Sequence, residues 1–300
     1  MRELVRGYAA ACFESAAASG RLGDLVGDLV DFDRALGSFA ALREALAGPD
    51  VAPSTRRAIV ADLVEHKSTP EGGALLGFAA HYEAAAELTL ALAGLIEDAE
   101  AILAAGDAGA GEGGVPATGR APVRQRIHGY AERVLEELPG PDAIDEVEDE
   151  LFALARLLET EVGLRRVLAD AGVPYAGRAA VLGELLENRA HPATLRLARY
   201  VLRAGRLRDL VGAFEWLVDL AAAERGRRVA EVRSAVELDE SERSRLATAL
   251  GRLVGRTVEV RVVHDTSVVG GLLVSVGDLV IDGTVRLRFE RLRDLLAQSG

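Results

Sequence analysis

The sequence predicts a mainly α fold: two tandem six-helix bundles followed by a small α/β C-terminal domain. Three observations predict it. Aromatic residues make up only 4% of the 300 positions while Ala and Leu dominate, a composition that favours helix. The apolar pattern of the first bundle returns without a gap after a shift of 122 residues, Gly7-Tyr8-Ala9 falling on Gly129-Tyr130-Ala131; a repeat of that length is a second copy of one domain. Beyond residue 228 the periodicity changes from three and four to two, which reads as strands.

The first copy spans 1–105. Leu22, Leu25, Val26, Leu29, Phe32 and Leu36 recur at helical spacing and make one apolar stripe. The second copy spans 123–228, where Ile144, Val147, Leu151, Leu154, Leu157 and Leu158 do the same. Further pairs carry the repeat: Glu14 with Glu136, Leu29 with Leu151, Leu42-Arg43 with Leu164-Arg165, Arg56 with Arg178, Pro70 with Pro192, Phe78 with Tyr200. Gly48-Pro49, Pro70, Gly140-Pro141, Gly172 to Pro174 and Pro192 interrupt the stripes, so each copy divides into about six short helices that bury their stripes against one another. Ser54, with Pro53 ahead of it, is the expected cap of the helix holding Ile59, Val60 and Leu63.

Residues 106–122 read as a flexible Gly/Ala linker. Its glycines lack the Gly-Lys-Ser or Gly-Lys-Thr that a phosphate-binding loop requires. In 229–300, Val229 to Val236 alternates as a half-buried strand does, and Asp239 caps an amphipathic helix through Leu246, Leu250, Leu253 and Val254. Thr257 to Val263, Leu272 to Val276 and Leu279 to Ile281 are three further strands. Gly277-Asp278 is a hairpin turn, and Val285 to Gln298 a closing helix with Leu287, Leu292, Leu295 and Leu296.

Composition narrows the function. A net charge of −12 argues against a nucleic-acid partner, because phosphate binding needs clustered Lys and Arg. The run Arg225-Gly226-Arg227-Arg228 reads as a solvated helix end. The single Cys12 permits no intrachain disulfide and sits in the apolar run Ala9 to Phe13, as a small buried side chain does. No apolar run reaches the ~20 residues of a membrane span, and the first residues lack the order of a signal peptide. Membrane association is thus expected through a partner. His66, His81, His128, His191 and His264 show no metal-ligand spacing, and no cofactor or metal is expected. The carboxylates Asp145-Glu146 and Glu148-Asp149-Glu150 flank Ile144, Val147 and Leu151, which makes them the outer face of a helix rather than acid–base groups.

The terminal segment carries a motif. Ser234-Ala235, Asp265, Val269-Gly270-Gly271, Gly277-Asp278 and Asp282-Gly283-Thr284 resemble the C-terminal domain of the F-type ATP synthase delta subunit family, the counterpart of the mitochondrial oligomycin-sensitivity-conferring protein. Thr266 stands where that family usually has Pro, and Thr284 where it has Ser. The opening helix is similar too, with Tyr8, Ala9, Ala11, Phe13 and Glu14 at the family's places; in the second copy Tyr130, Ala131 and Glu136 keep them. A doubled N-terminal domain is what the actinobacterial members of the family would show.

The resemblance implies a non-catalytic stator subunit, without cofactor, peripheral on the cytoplasmic face of the plasma membrane as part of the synthase. Its partners would be the N-terminal helices of the alpha subunits, taken up by helix-in-groove binding, and the b subunits of the peripheral stalk. In the absence of a membrane span, a separate b subunit would supply the anchor. The groove implied in the first copy points to Tyr8, Ala11, Phe13, Phe78 and Tyr82, and the b contact to Val269, Gly270, Leu272, Leu292 and Leu295. A free-standing helical protein that binds amphipathic helices is the alternative; the terminal motif speaks against it. An enzyme is a third reading, for which no convergent polar constellation is present.

Overall fold

The computed structural model describes residues 1–48, 51–105, 120–170, 172–204, 209–254, 258–266, 268, 270–276 and 279–283. Among them the first helical series is Glu3–Ala18 (α1), Leu22–Ser38 (α2), Ala40–Ala47 (α3), Pro53–Val64 (α4), Pro70–Tyr82 (α5) and Leu88–Ala105 (α6), with a 3-10 turn before α6. The second is Arg120–Glu136 (α7), Pro141–Thr160 (α8), Val162–Ala169 (α9), Tyr175–Leu186 (α10), Pro192–Ala204 (α11) and Leu210–Arg228 (α12). Then follow Val229–Ser234 (β1), Glu240–Val254 (α13), Glu259–His264 (β2), Leu273–Val276 (β3) and Leu279–Asp282 (β4). The fold is mainly α with a small α/β part at its C-terminal end, as the change of periodicity predicts. The expected 106–122 linker is shorter at its end, since residues 120–122 open α7; its residues up to 119, the Gly277-Asp278 turn and the closing helix lie outside the described residues.

Two compact units form. One comprises Met1–Val134 with Leu154–Leu217, the other Leu135–Ala153 with Val218–Gly300; α8 and α12 each contribute to both. In the first unit α1–α6 enclose a single core. Leu25, Leu29, Phe32 and Leu36 from α2 meet Leu75, Leu76 and Phe78 from α5 and Leu92 and Leu95 from α6. The stripe read from the sequence is the buried face of α2 because positions three and four apart share one side of a helix. Cys12 is buried in this core.

Local solutions recur at the 122-residue shift. Arg43 Nη1 donates to the carbonyls of Leu36 (2.6 Å) and Gly37 (2.8 Å), and Arg165 Nη1 donates to those of Leu158 (3.2 Å) and Glu159 (3.3 Å). In both places a guanidinium satisfies carbonyls left open where a helix ends. His66 and Asn188 both take φ +60°, a left-handed conformation uncommon outside Gly. The start of α5 is tied to α2: Thr69 Oγ1 accepts from Gly72 N (3.0 Å), while Asp28 Oδ2 accepts from Thr69 N (2.8 Å) and Thr69 Oγ1 (2.7 Å). The start of α11 differs, since His191 Nδ1 accepts from Ala193 N at 3.1 Å.

Two sequence expectations need correction. Ser54 is not the cap of α4; the helix begins at Pro53, with Ala52 extended before it, because Pro at the first helical position brings the right φ and lacks an N–H that would be unsatisfied there. The Arg225 end of α12 is not simply solvated. Arg225 pairs with Asp145 and with Glu148 (3.3 Å) on α8, so part of the acidic face holds a neighbouring helix. Burial raises the Glu148 pKa, against the opposing pull of Arg225.

The second unit carries a four-stranded sheet in the order β2-β1-β3-β4. β1 runs parallel to β2, Val229 opposite Glu259 and Ser234 opposite His264, with α13 as the crossover. β3 lies antiparallel to β1, Val232 opposite Val274, and β4 closes a hairpin on β3 with Val276 opposite Leu279. Ala230, Val232, Val258, Val274 and Val276 are buried with Leu250 of α13; alternation along each strand puts them on one face. The Asp239 cap is as predicted, in reciprocal form: Asp239 Oδ1 accepts from Glu242 N (2.8 Å) and Glu242 Oε2 from Asp239 N (3.0 Å).

Two outcomes test this packing in urea titrations followed by circular dichroism. Asp28→Ala removes the acceptor of the α5 start and lowers stability by about 1–3 kcal/mol. Leu29→Ala opens the first core and costs about 2–5 kcal/mol, with an unchanged slope if the unfolded state is unaffected.

Candidate partner-binding site

Three of the aromatic residues singled out from the sequence, Tyr8, Phe78 and Tyr82, come together. The rings of Tyr8 on α1 and Phe78 on α5 stack with centroids 3.8 Å apart and planes 12° from parallel. The Tyr82 ring, one turn on, has its centroid 4.6 Å from that of Phe78 and 4.6 Å from that of His81, the latter edge-on. Spacing of four residues on α5 places Phe78 and Tyr82 on one face. Tyr8, Ala11, Phe13 and Phe78 are buried, whereas Tyr82 keeps some exposure at the border of the core. Burial, with Arg57 adding to it, lowers the His81 pKa, which favours a neutral imidazole beside the Tyr82 ring.

The second series builds the same stack. Tyr130 on α7 and Tyr200 on α11 lie 3.7 Å apart and 6° from parallel. Burial pushes the Tyr200 phenol up to about 12. Burial and then the charge of Glu14 push the Tyr130 phenol well above its ordinary range. Both phenols therefore stay neutral, and Tyr130 Oη donates to Glu14 Oε2.

That bond introduces residues the sequence reading missed. α1 and α7 touch backbone to backbone. A Cβ on Gly7 would lie 1.9 Å from the carbonyl oxygen of Arg126, and a Cβ on Gly129 would lie 1.9 Å from that of Leu4; only glycine permits such an approach. Arg126 donates to Glu3 Oε2 through Nε (2.6 Å), and Arg196 on α11 stands 3.3 Å from Glu14. A cleft beside this seam is lined by Arg6, Phe13, Glu14, Asp98, Arg126 and Tyr200. Its charges largely pair within the chain: Arg6 Nε is 3.4 Å from Asp98, whose pKa burial raises while Arg6 opposes the rise. The available signal was the Gly-Tyr-Ala triplet in both copies. Its glycine carried no apolar pattern, so periodicity passed over it.

In the second unit, Gly270 and Gly271 both adopt left-handed φ, +66° and +81°. The paired glycines therefore make the backbone bend that a side chain would strain. Gly270 is exposed, and Leu272 packs partly buried against the sheet core. Gly283 N donates to the Leu272 carbonyl (2.9 Å) and extends the β3–β4 pairing by one residue. Ser234, which ends β1, accepts from Asp265 N through its carbonyl (2.9 Å) and from Val236 N through Oγ (3.2 Å). Val269, Leu292 and Leu295 lie outside the described residues. Among the described residues no group of three or more His, Cys, Asp or Glu could hold a metal ion, and no helix is long and apolar enough to cross a membrane. Chemically the arrangement offers apolar contact, capped helix ends and ion pairs.

Comparison with known proteins agrees with the motif. The family model described as ATP synthase delta (OSCP) subunit matches residues 4–96 and 129–296. The ATP synthase subunit delta of Parafrankia sp. (strain EAN1pec) is 41% identical over 54% of this chain and 58% of that protein. That of Nocardia farcinica (strain IFM 10152) is 42% identical over 55% of this chain and 61% of that protein. The chain thus matches about three fifths of the length of these curated relatives. A chain of the Toxoplasma gondii mitochondrial ATP synthase hexamer matches 58% of this chain and 97% of its own, at 17% identity and a TM-score of 0.29, too distant to bear on the geometry. The family pattern runs from the α1 stack to the terminal sheet, and the chain belongs to the ATP synthase delta (OSCP) subunit family.

Proposed function

We propose that this protein is a non-catalytic subunit of the peripheral stalk of an F-type ATP synthase, one that links the catalytic head to the b subunits and resists rotor torque. Its helical part is one domain present twice, 1–105 and 123–228, joined by a linker that ends before Arg120, where α7 opens, and followed by the 229–300 domain. The observation that carries the reading is the span of the family match, which takes in helices of both series and the terminal sheet together. The stacked aromatic pairs, the recurrent guanidinium caps and the sheet support a body that transmits force. A load passing through packed cores and hydrogen-bonded strands needs no bond to form or break.

The alpha subunits' N-terminal helices are the partner of the helical part and the b subunits that of the terminal domain. Both contacts place the protein at the cytoplasmic face of the plasma membrane, held there by the complex. In the first series Tyr82 is the residue of the implied groove that keeps exposure, with Tyr8, Ala11, Phe13 and Phe78 buried around the stack. In the terminal domain, Gly270 is exposed and Leu272 half-buried at the bend before β3; Val269, Leu292 and Leu295 are further candidates outside the described residues.

Calorimetric titration of the full chain with a peptide of the alpha subunit's N-terminal helix tests the reading. Saturable binding is expected, weakened about tenfold by Tyr82→Ala, as for a partly exposed aromatic anchor. A titration without heat, together with no capture of the b subunit's soluble domain, would overturn the assignment.

A further inference from the structure

The two helical series touch through the same surface of each. Gly7 lies on the backbone of Arg126, and Gly129 lies on the backbone of Leu4. At the 122-residue shift Gly129 is the counterpart of Gly7 and Arg126 that of Leu4, so residue i of one series meets j of the other and j meets i. Such reciprocity defines an isologous, two-fold contact, normally made by two separate copies of a chain. Here both halves belong to one polypeptide.

The charges on the seam break that symmetry. Glu3 and Glu14 come from the first series; Arg126 and Arg196, which pair with them, come from the second. The counterparts of Arg126 and Arg196 in the first series are Leu4 and Ala74, and those of Glu3 and Glu14 in the second are Gln125 and Glu136, so the Glu3–Arg126 position, not the Glu14–Arg196 one, distinguishes the mixed pairing from two second copies. Two first copies placed in this geometry would set Glu3 against Leu4. Two second copies would set Arg126 against Gln125, and Arg126 is only 6% exposed. An ionic group so covered is costly without its opposite charge. The heterotypic arrangement alone matches acid to base at that position.

We propose that the α1–α7 seam is an internal recognition interface whose occupant is the chain's own other copy: glycines 7 and 129 set the approach, and the Glu3–Arg126 pair selects copy one with copy two over either copy with itself. The inference rests on the tandem-copy reading and is independent of the stator role. It makes the Glu3–Gly7 side of α1 an occupied surface and keeps like copies of neighbouring chains from pairing there. Electrostatic complementarity of this kind acts chiefly on specificity, through the penalty on the wrong pairing.

The test uses the full-length chain and hydrogen exchange resolved to α1 and α7. Glu3→Arg and Arg126→Glu, each alone, are expected to reduce protection in both helices about tenfold or more. The exchanged pair Glu3→Arg with Arg126→Glu is expected to recover most of it. Gly129→Val, which leaves every charge in place, should open the same two helices. Sedimentation velocity of the unaltered protein should show a monomer at every concentration. Unchanged protection in the single variants, a charge-exchanged variant no better than the worse single, or a concentration-dependent dimer of the unaltered chain would each overturn the proposal.

Discussion

The approach of α1 to α7 is the constraint on which the helical part of the molecule depends. Two helices normally pack with axes 8–10 Å apart because side chains keep them separated. At Gly7 and Gly129 there is no side chain, and the backbones meet where a Cβ would stand 1.9 Å from a carbonyl oxygen. That contact brings Glu3 within reach of Arg126 and Glu14 within reach of Tyr130 and Arg196. Arg126 can be buried because its carboxylate partner arrives with α1. A methyl group at either glycine would push all of these partners apart together.

Around that contact the chain uses one set of local devices twice. The stacks Tyr8–Phe78 and Tyr130–Tyr200 join the first and fifth helix of each series with nearly the same spacing. Arg43 and Arg165 close the ends of α2 and α8. The differences are as informative as the repeats. Thr69 caps α5 with help from Asp28, while His191 takes the matching place at α11. The backbone donors at a helix start need some acceptor, and the choice of acceptor is free so long as one is present.

The terminal domain meets a different demand. Its parallel pair β1–β2 needs a crossover, supplied by α13 with a capping box at its start. The antiparallel β3–β4 hairpin completes the sheet. Among the described residues of its motif, Ser234 ends a strand and holds Asp265, and Gly270 and Gly271 take left-handed φ.

Much of this was legible in the sequence, because it follows from local periodicity and local sterics. The stripe from Leu22 to Leu36, the alternation in β1, the Asp239 cap and the 122-residue repeat each depend on residues close in the chain or on a direct comparison of two stretches of it. The start of α4 at Pro53 rather than Ser54 was a local matter read wrongly, since a proline at the first turn outranks a serine one step later. What the tertiary structure alone decided is which surfaces remain free. Tyr8 and Phe13 look the same in sequence whether they stand exposed or covered; packing covers both within the chain. Gly7 and Gly129 have no side chain to enter a hydrophobic pattern, so only the meeting of two helices 122 residues apart revealed their role. Burial and close approach are properties of pairs of distant segments, and no single segment encodes them.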